Sequence, residues 1–118
     1  TIIMLETKES VTNLDEILRL KLLDIIYVGP FDLSVSYGIS PEEIFENSEM
    51  LKIYKFILKT VKKAKKISAI HCLSAETAIY FLKMGFDFVT LSTDLALLKQ
   101  SVWIEQEKVK NFLRNAKK

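Results

Sequence analysis

The chain has 118 residues, a formal net charge of +2 and 49% hydrophobic residues. This length allows one domain with a real core, and the hydrophobic content excludes an intrinsically disordered chain. A charge this small, with lysines spread over predicted helix faces, argues against a nucleic-acid-binding protein. The single cysteine excludes an internal disulfide framework and predicts a reducing, cytoplasmic location. No apolar run approaches the roughly 20 residues of a membrane span, so we expect no membrane partner.

The first 30 residues predict a strand–helix–strand unit. Residues 2–5 form an apolar run, and the chain enters it directly at Thr1 without a methionine, as a segment of a longer protein would. Residues 10–20 place one apolar face on a helix, formed by Val11, Leu14, Ile17 and Leu18. A second buried strand at 24–28 stops at Gly29-Pro30, a pair that ends strands and opens turns.

The segment after Asp32 predicts a loop followed by two helices. Ser40-Pro41-Glu42-Glu43 is a helix start, with serine as N-cap and proline at the first position. Asn47-Ser48 offers a second cap a few residues later, so the first helix is short. The second helix then carries an apolar stripe formed by Leu51, Tyr54, Leu58 and Val61.

The same alternation of strand and helix continues through residues 67–85. Residues 67–73 predict the third strand. Ser74 caps the helix that follows, and Gly85 is placed as its C-terminal stop. The residues expected to face inward from this helix are Ala78, Ile79 and Leu82.

A fourth strand and a last long helix complete the pattern. Residues 86–91 predict the strand, and Asp94 caps a helix with its inward face on Leu95, Leu98 and Val102. Four consecutive strand–helix pairs with right-handed crossovers predict an α/β fold with a parallel sheet. We therefore expect residues 1–118 to form a single domain, a (β/α)4 segment that is half of a (β/α)8 TIM barrel.

Two carboxylates follow neighbouring strands at matching positions. Glu6 comes directly after the first strand, and Asp32 comes shortly after the second, 26 positions later. The carboxyl ends of parallel strands meet at one edge of a sheet, where α/β proteins bind ligands. One acid alone would more simply cap a helix or a turn. Two acids at equivalent positions favour a shared divalent cation with oxygen ligands, such as magnesium or manganese.

Three short segments resemble the metal-dependent 2-oxo-acid aldolases of the HpcH/HpaI family. They are Leu-Glu-Thr-Lys-Glu at 5–9, Asn-Leu-Asp-Glu-Ile at 13–17 and Val-Gly-Pro-Phe-Asp-Leu-Ser at 28–34. The similarity continues more weakly at residues 84–85 and 92–95. The resemblance covers the second, C-terminal half of that family's barrel.

The resemblance implies a class II lyase that cleaves or forms 4-hydroxy-2-oxo acids, releasing pyruvate and an aldehyde. It implies that Glu6 and Asp32 hold a magnesium, manganese or cobalt ion. It further implies that the turn at Gly29 and Pro30, with the amides of Phe31 and Asp32, binds the pyruvate carboxyl group. The base and the supporting cation of such enzymes come from the first half of the barrel. The isolated chain is therefore expected to be inactive and to pair with that missing half or with further copies of itself.

Two alternatives and one further candidate residue follow from the same sequence. An acyl-CoA lyase of the citrate lyase beta type is one alternative, although no basic pocket for CoA phosphates is evident. The other is a non-catalytic half-barrel that serves in binding or assembly, favoured by Met4, where relatives carry a polar glutamine.

His71 ends the third strand at the same rim and is a candidate catalytic residue. A lone histidine is more often a hydrogen-bonded core or pocket residue. Cys72, beside it, is expected to be a small apolar side chain that fills space in the core.

Overall fold

Four short apolar runs form one parallel sheet in the order β1-β2-β3-β4. The structure of the protein, a computed structural model, describes residues 1–116. The strands are β1 Ile2–Leu5, β2 Ile25–Val28, β3 Ile67–Cys72 and β4 Phe88–Leu91. The helices are α1 Lys8–Thr12, α2 Leu14–Ile17, α3 Pro30–Ser36, α4 Ser48–Lys63, α5 Ala75–Met84 and α6 Asp94–Asn115, with a 3-10 turn at Pro41–Glu43. This order of elements confirms the predicted α/β class with a parallel sheet.

The two faces of the sheet differ in their cover. Side chains alternate between faces along a strand, and one set packs against the helices, where it is fully buried: Leu5, Ile26, Val28, Ile70 and Cys72. The opposite face carries apolar side chains that remain between 44% and 57% exposed: Ile2, Met4, Ile67 and Phe88. A sheet of a closed barrel is covered on both sides. Within the described residues, only one side of this sheet is covered.

Phe81 is the centre of the helix-covered core. It is fully buried on α5, and its ring lies 5.2 Å from that of Tyr54 and 5.5 Å from that of Phe86, both edge to face. The rings of Phe45 and Tyr80 lie within 5.7 Å of it as well. Such tilted and T-shaped pairs are the arrangements that aromatic quadrupoles favour. The cluster ties α4, α5 and the entrance to β4 together.

The helix expected at residues 10–20 is divided into α1 and α2. Thr7 and Ser10 form a reciprocal capping box that starts α1 at Lys8. Asn13 then leaves the helical conformation, with φ −91° and ψ 11°. It is both the C-cap of α1 and the N-cap of α2. Asparagine competes for backbone hydrogen bonds and is a poor residue for a helix interior. The apolar face survives the break, because Val11, Leu14 and Leu18 are all buried.

The segment expected to be a loop after Asp32 contains α3. Gly29 is the N-cap of this helix and Pro30 occupies its first turn, where the fixed φ of proline suits a helix. Ser34, which reads as a loop residue, is fully buried and donates its hydroxyl to the Phe31 carbonyl at 2.8 Å. The Gly-Pro pair therefore ends β2 and begins a helix in the same step.

The inward faces of the last two helices differ from those predicted. On α5, Ile79 and Leu82 are about half exposed, and Phe81 is buried in their place, with Ala78. On α6, Leu95, Leu98 and Val102 are between 48% and 63% exposed. The N-cap of α6 is Thr93, whose hydroxyl accepts a hydrogen bond from the Ala96 amide at 3.2 Å; Asp94 lies one residue inside. The apolar face of α6 is exposed because this helix runs past the sheet, which gives the molecule extents of 66 × 27 × 22 Å.

None of the helices in the described part of the chain is both long and apolar enough to cross a membrane.

The only cysteine is the last residue of the third strand. Cys72 is fully buried at the end of β3. Burial disfavours the charged thiolate and raises the pKa of the Cys72 thiol to about 11. The residue behaves as a small apolar side chain, as its sequence context predicts.

A buried hydroxyl gives a first testable prediction. The Tyr54 ring is fully buried, and its hydroxyl has no hydrogen-bond partner among the described residues. A buried polar group without a partner costs about 1–3 kcal/mol of desolvation. Tyr54→Phe keeps the ring against Phe81, so we expect it to raise the free energy of unfolding by about 1 kcal/mol. Urea denaturation followed by circular dichroism measures this, with the exposed Tyr80→Phe as the matched control; a loss of stability in Tyr54→Phe would contradict the prediction.

Candidate active site at the carboxyl ends of the strands

Glu6 and Gly29 meet where β1 and β2 end. The register pairs Leu5 with Val28, so the next residues, Glu6 and Gly29, lie at one level of the sheet. The Gly29 amide donates to the Leu5 carbonyl at 3.0 Å and holds the two strand ends together. A Cβ atom on Gly29 would lie 2.9 Å from Glu6 Cγ and 3.0 Å from Glu6 Oε1. Only glycine leaves the space that the Glu6 side chain occupies.

The first turn of α3 begins at the same place. Gly29 and Pro30 are buried, Phe31 is half-buried, and Asp32 is exposed in the first turn of the helix. The first amides of a helix have no carbonyl acceptor within it, and they attract negative charge. Among the described residues, the amides of Phe31 and Asp32 have no hydrogen-bond acceptor. The structure thus places the Glu6 side chain against Gly29, at the start of the helix whose first turn contains Asp32 and two amides without an acceptor in the described chain.

Two contacts of Lys8 link the segment after β1 to the end of α3. The Lys8 amide donates to Ser36 Oγ at 2.8 Å, which joins the start of α1 to the end of α3. Lys8 also places its ammonium group 5.6 Å from the centre of the Tyr37 ring. These contacts fix the segment that carries Glu6 against the helix that carries Asp32.

The donor set at this corner fits a hard divalent cation. Magnesium and manganese take oxygen ligands, and magnesium is commonly bound by one or two carboxylates together with substrate and water. Glu6 and Asp32 supply two carboxylates of this kind. Within the described residues, no three or more His, Cys, Asp or Glu side chains gather closely enough to hold an ion without other ligands. A cation here would therefore take its remaining ligands from substrate and water.

His71 lies at the same level as Glu6 and Gly29, on the uncovered face of the sheet. Its Nδ1 is 2.9 Å from Thr90 Oγ1 and 3.2 Å from the Tyr27 hydroxyl, and these two hydroxyls are 2.6 Å apart. Sequence reasoning identified His71 but missed Tyr27 and Thr90. Alternation along β2 and β4 puts Tyr27 and Thr90 on one face of their strands. It identifies them as neighbours of His71 only when the register of β2, β3 and β4 is known.

Comparison of the sequence with known proteins identifies a family. Residues 1–101 match the HpcH/HpaI aldolase/citrate lyase family. The chain is 37% identical over 95 residues to a hydroxypyruvate/pyruvate aldolase of Rhizorhabdus wittichii, covering 80% of this chain and 38% of that protein. It is 28% identical over 101 residues to a 2-keto-3-deoxy-L-rhamnonate aldolase of Escherichia coli, covering 86% of this chain and 37% of that protein. The chain thus spans less than two fifths of the length of these relatives.

Solved structures show the same fold. A HpcH/HpaI aldolase/citrate lyase family protein from Burkholderia cenocepacia superimposes with a TM-score of 0.83 at 21% identity, over 92% of this chain and 42% of that one. A HpcH/HpaI aldolase from Desulfitobacterium hafniense gives the same TM-score and the same coverage at 20% identity. The strand order, the open sheet face and these matches lead to one conclusion: the chain belongs to the HpcH/HpaI aldolase/citrate lyase family and forms part of its TIM barrel.

Proposed function

We propose that this chain carries the cation-binding and oxo-acid-binding corner of a lyase that cleaves or forms 4-hydroxy-2-oxo acids. One observation carries the proposal: the Glu6 side chain lies against Gly29, at the start of the helix whose first turn holds Asp32. The arrangement combines two oxygen ligands with two free amides. The names of the relatives, which are pyruvate and oxo-acid aldolases, support the same chemistry.

Each group at the corner has a separate task in this proposal. Glu6 and Asp32 hold the divalent cation, which when bound supplies a Lewis acid for breaking the carbon–carbon bond. The amides of Phe31 and Asp32 donate to the carboxylate of the substrate and fix its orientation. Gly29 leaves room for Glu6, and Pro30 presets the helix turn that aims the amides. The resulting substrate class is a 2-oxo acid such as pyruvate and its aldol adducts.

The open face of the sheet determines what surrounds this corner in the working protein. Burying its exposed apolar side chains would contribute about 25 cal/mol per Å². We infer that the face is covered in the working protein, either by the other strands of a barrel or by a second copy of this chain. In either case the cover would also close the site against water.

Metal binding tests the proposal directly. We expect the chain to bind Mn²⁺, and to bind it more tightly when pyruvate or oxalate is present, because the oxo acid completes the ligand set. Glu6→Gln and Asp32→Asn should each abolish this binding, since each removes one of only two charged ligands. Titration calorimetry and the electron paramagnetic resonance signal of free Mn²⁺ measure it.

The matched controls are Glu16→Gln and Asp15→Asn. Both carboxylates are exposed on α2, away from the corner, and their removal changes the net charge by the same amount. They should leave the affinity for Mn²⁺ unchanged within about twofold. Equal Mn²⁺ affinities of the unchanged chain and Asp32→Asn would overturn the assignment.

A further inference from the structure

The long last helix, α6, carries an apolar stripe along one side that no other described residue covers. The members of the stripe recur at spacings of three, four and seven residues, which keep side chains on one side of a helix. They are between 48% and 70% exposed: Leu95, Leu98, Val102, Val109, Phe112 and Leu113. Single apolar residues on a surface are ordinary, whereas a continuous apolar patch marks an interaction site.

The side of α6 that meets the sheet is the opposite one. Leu97 and Gln100 of α6 border a cavity together with Leu73 and Leu91, which lie at the carboxyl ends of β3 and β4. Consecutive residues of a helix are about 100° apart, which puts Leu97 and Gln100 about 150° around the helix from the middle of the stripe. The stripe therefore points away from the sheet of its own chain.

The helix is also longer than those that pack on the sheet. It has 22 residues, whereas α4 has 16 and α5 has 10. At a rise of 1.5 Å per residue, α6 spans about 33 Å. The match to the family ends at residue 101, so four of the six stripe residues lie beyond it. Most of the stripe therefore belongs to a part of the chain outside the matched barrel segment.

We propose that the stripe binds the same stripe of a second copy of this chain, with the two helices antiparallel about a two-fold axis. Such an axis lets one apolar surface cover itself. The six half-exposed side chains offer roughly 600 Å² per copy, close to the 800 Å² that each partner contributes to a standard interface. An interface of this size predicts a dissociation constant in the micromolar range.

The position of the sheet selects the antiparallel arrangement. The sheet lies at the amino end of α6, so parallel helices would bring the two sheets to the same end. Antiparallel helices keep the sheets apart and oppose the two helix dipoles favourably. Glu105 lies near the middle of the stripe, and its carboxylate accepts a hydrogen bond from Lys108 Nζ at 2.6 Å. This ion pair leaves no isolated charge at the centre of the interface.

Sedimentation velocity over a range of protein concentrations tests the association. Val109→Glu should weaken it at least tenfold, roughly, because the new carboxylate would have to leave water for an apolar contact. Ile104→Glu is the matched control, since it adds the same charge to the same helix on the side opposite the stripe, at a residue that is 41% exposed. It should leave the dissociation constant unchanged within about twofold. Circular dichroism checks that both variants keep the helix.

Cross-linking tests the arrangement, because Cys72 is buried and an introduced cysteine is the accessible thiol. The midpoint of the stripe is near residue 104, so antiparallel helices put Leu95 of one copy beside Phe112 of the other and leave the two Leu95 residues about 27 Å apart. A short bismaleimide should join Leu95→Cys chains to Phe112→Cys chains and should not join two Leu95→Cys chains. The reverse result would overturn the antiparallel arrangement.

Two results of the sedimentation experiment would overturn the association through α6. One is a monomer at every concentration. The other is a dimer that survives Val109→Glu, which would place the second copy on the open face of the sheet. Mn²⁺ binding at Glu6 and Asp32 is measured separately, so either result leaves the proposed function standing.

Discussion

The 118-residue chain by itself is expected to release pyruvate from 4-hydroxy-2-oxo acids at least about 10⁴-fold more slowly than a relative with a complete barrel. Loss of general acid–base help costs about 10²–10⁴-fold, and loss of an oxyanion donor costs about another 10²–10³-fold. The sheet face beside Glu6 is open to water, with Met4 47% exposed. Water in the site also weakens every electrostatic contact to the substrate.

A coupled assay that follows pyruvate measures this rate with and without a complementary fragment. The fragment supplies the remaining strands and helices of a relative's barrel. Its addition should restore turnover, and turnover should then depend on Glu6 and Asp32, with Asp15→Asn as the unaffected control. Rapid turnover by the chain alone would show that a base lies within these residues, and His71 would be the first to replace.

Phe81→Ala is expected to lower the free energy of unfolding by about 3–5 kcal/mol. The ring is fully buried and lies at the centre of four aromatic contacts that join α4, α5 and the entrance to β4. A domain of ordinary stability has about 5–15 kcal/mol in total. This single change would therefore remove a large fraction of the stability, or all of it.

Urea denaturation followed by circular dichroism tests the Phe81 prediction. Ile79→Ala lies two residues away on the same helix but is 52% exposed, so it should cost much less and serves as the control. Loss of the helical signal in Phe81→Ala without denaturant would also support the prediction. A cost below about 1 kcal/mol would show that the surrounding rings close over the cavity.

The strands and most helix caps were predictable because their signals are local. Apolar β-branched runs identified all four strands to within two residues at each end. Ser74, Asn47 and Gly85 cap or end their helices as their residue types predict. Glu6 and Asp32 were assigned to the same sheet edge, and the structure places Glu6 against Gly29, three residues before Asp32. These features depend on a few consecutive residues, which the sequence displays directly.

The features that were missed depend on residues far apart in the chain. The buried face of α5 is set by the aromatic rings that Phe81 meets, and α6 has no cover among the described residues that could select an inward face. The contacts of His71 join residues 44 and 19 positions away. Periodicity within one helix or strand contains no information on such partners. Only the alignment of β2, β3 and β4 brings them together.

The reactivity of the single thiol, Cys72, can report how often the core of the chain opens. The thiolate is the form that reacts with alkylating reagents, and a pKa of about 11 leaves very little of it at neutral pH. Burial at the end of β3 shields the sulfur as well. Modification of this one atom therefore requires β3 to separate from the helices that cover it. The rate of labelling gives the rate of that opening when alkylation is faster than reclosing, and the population of the open form when it is slower.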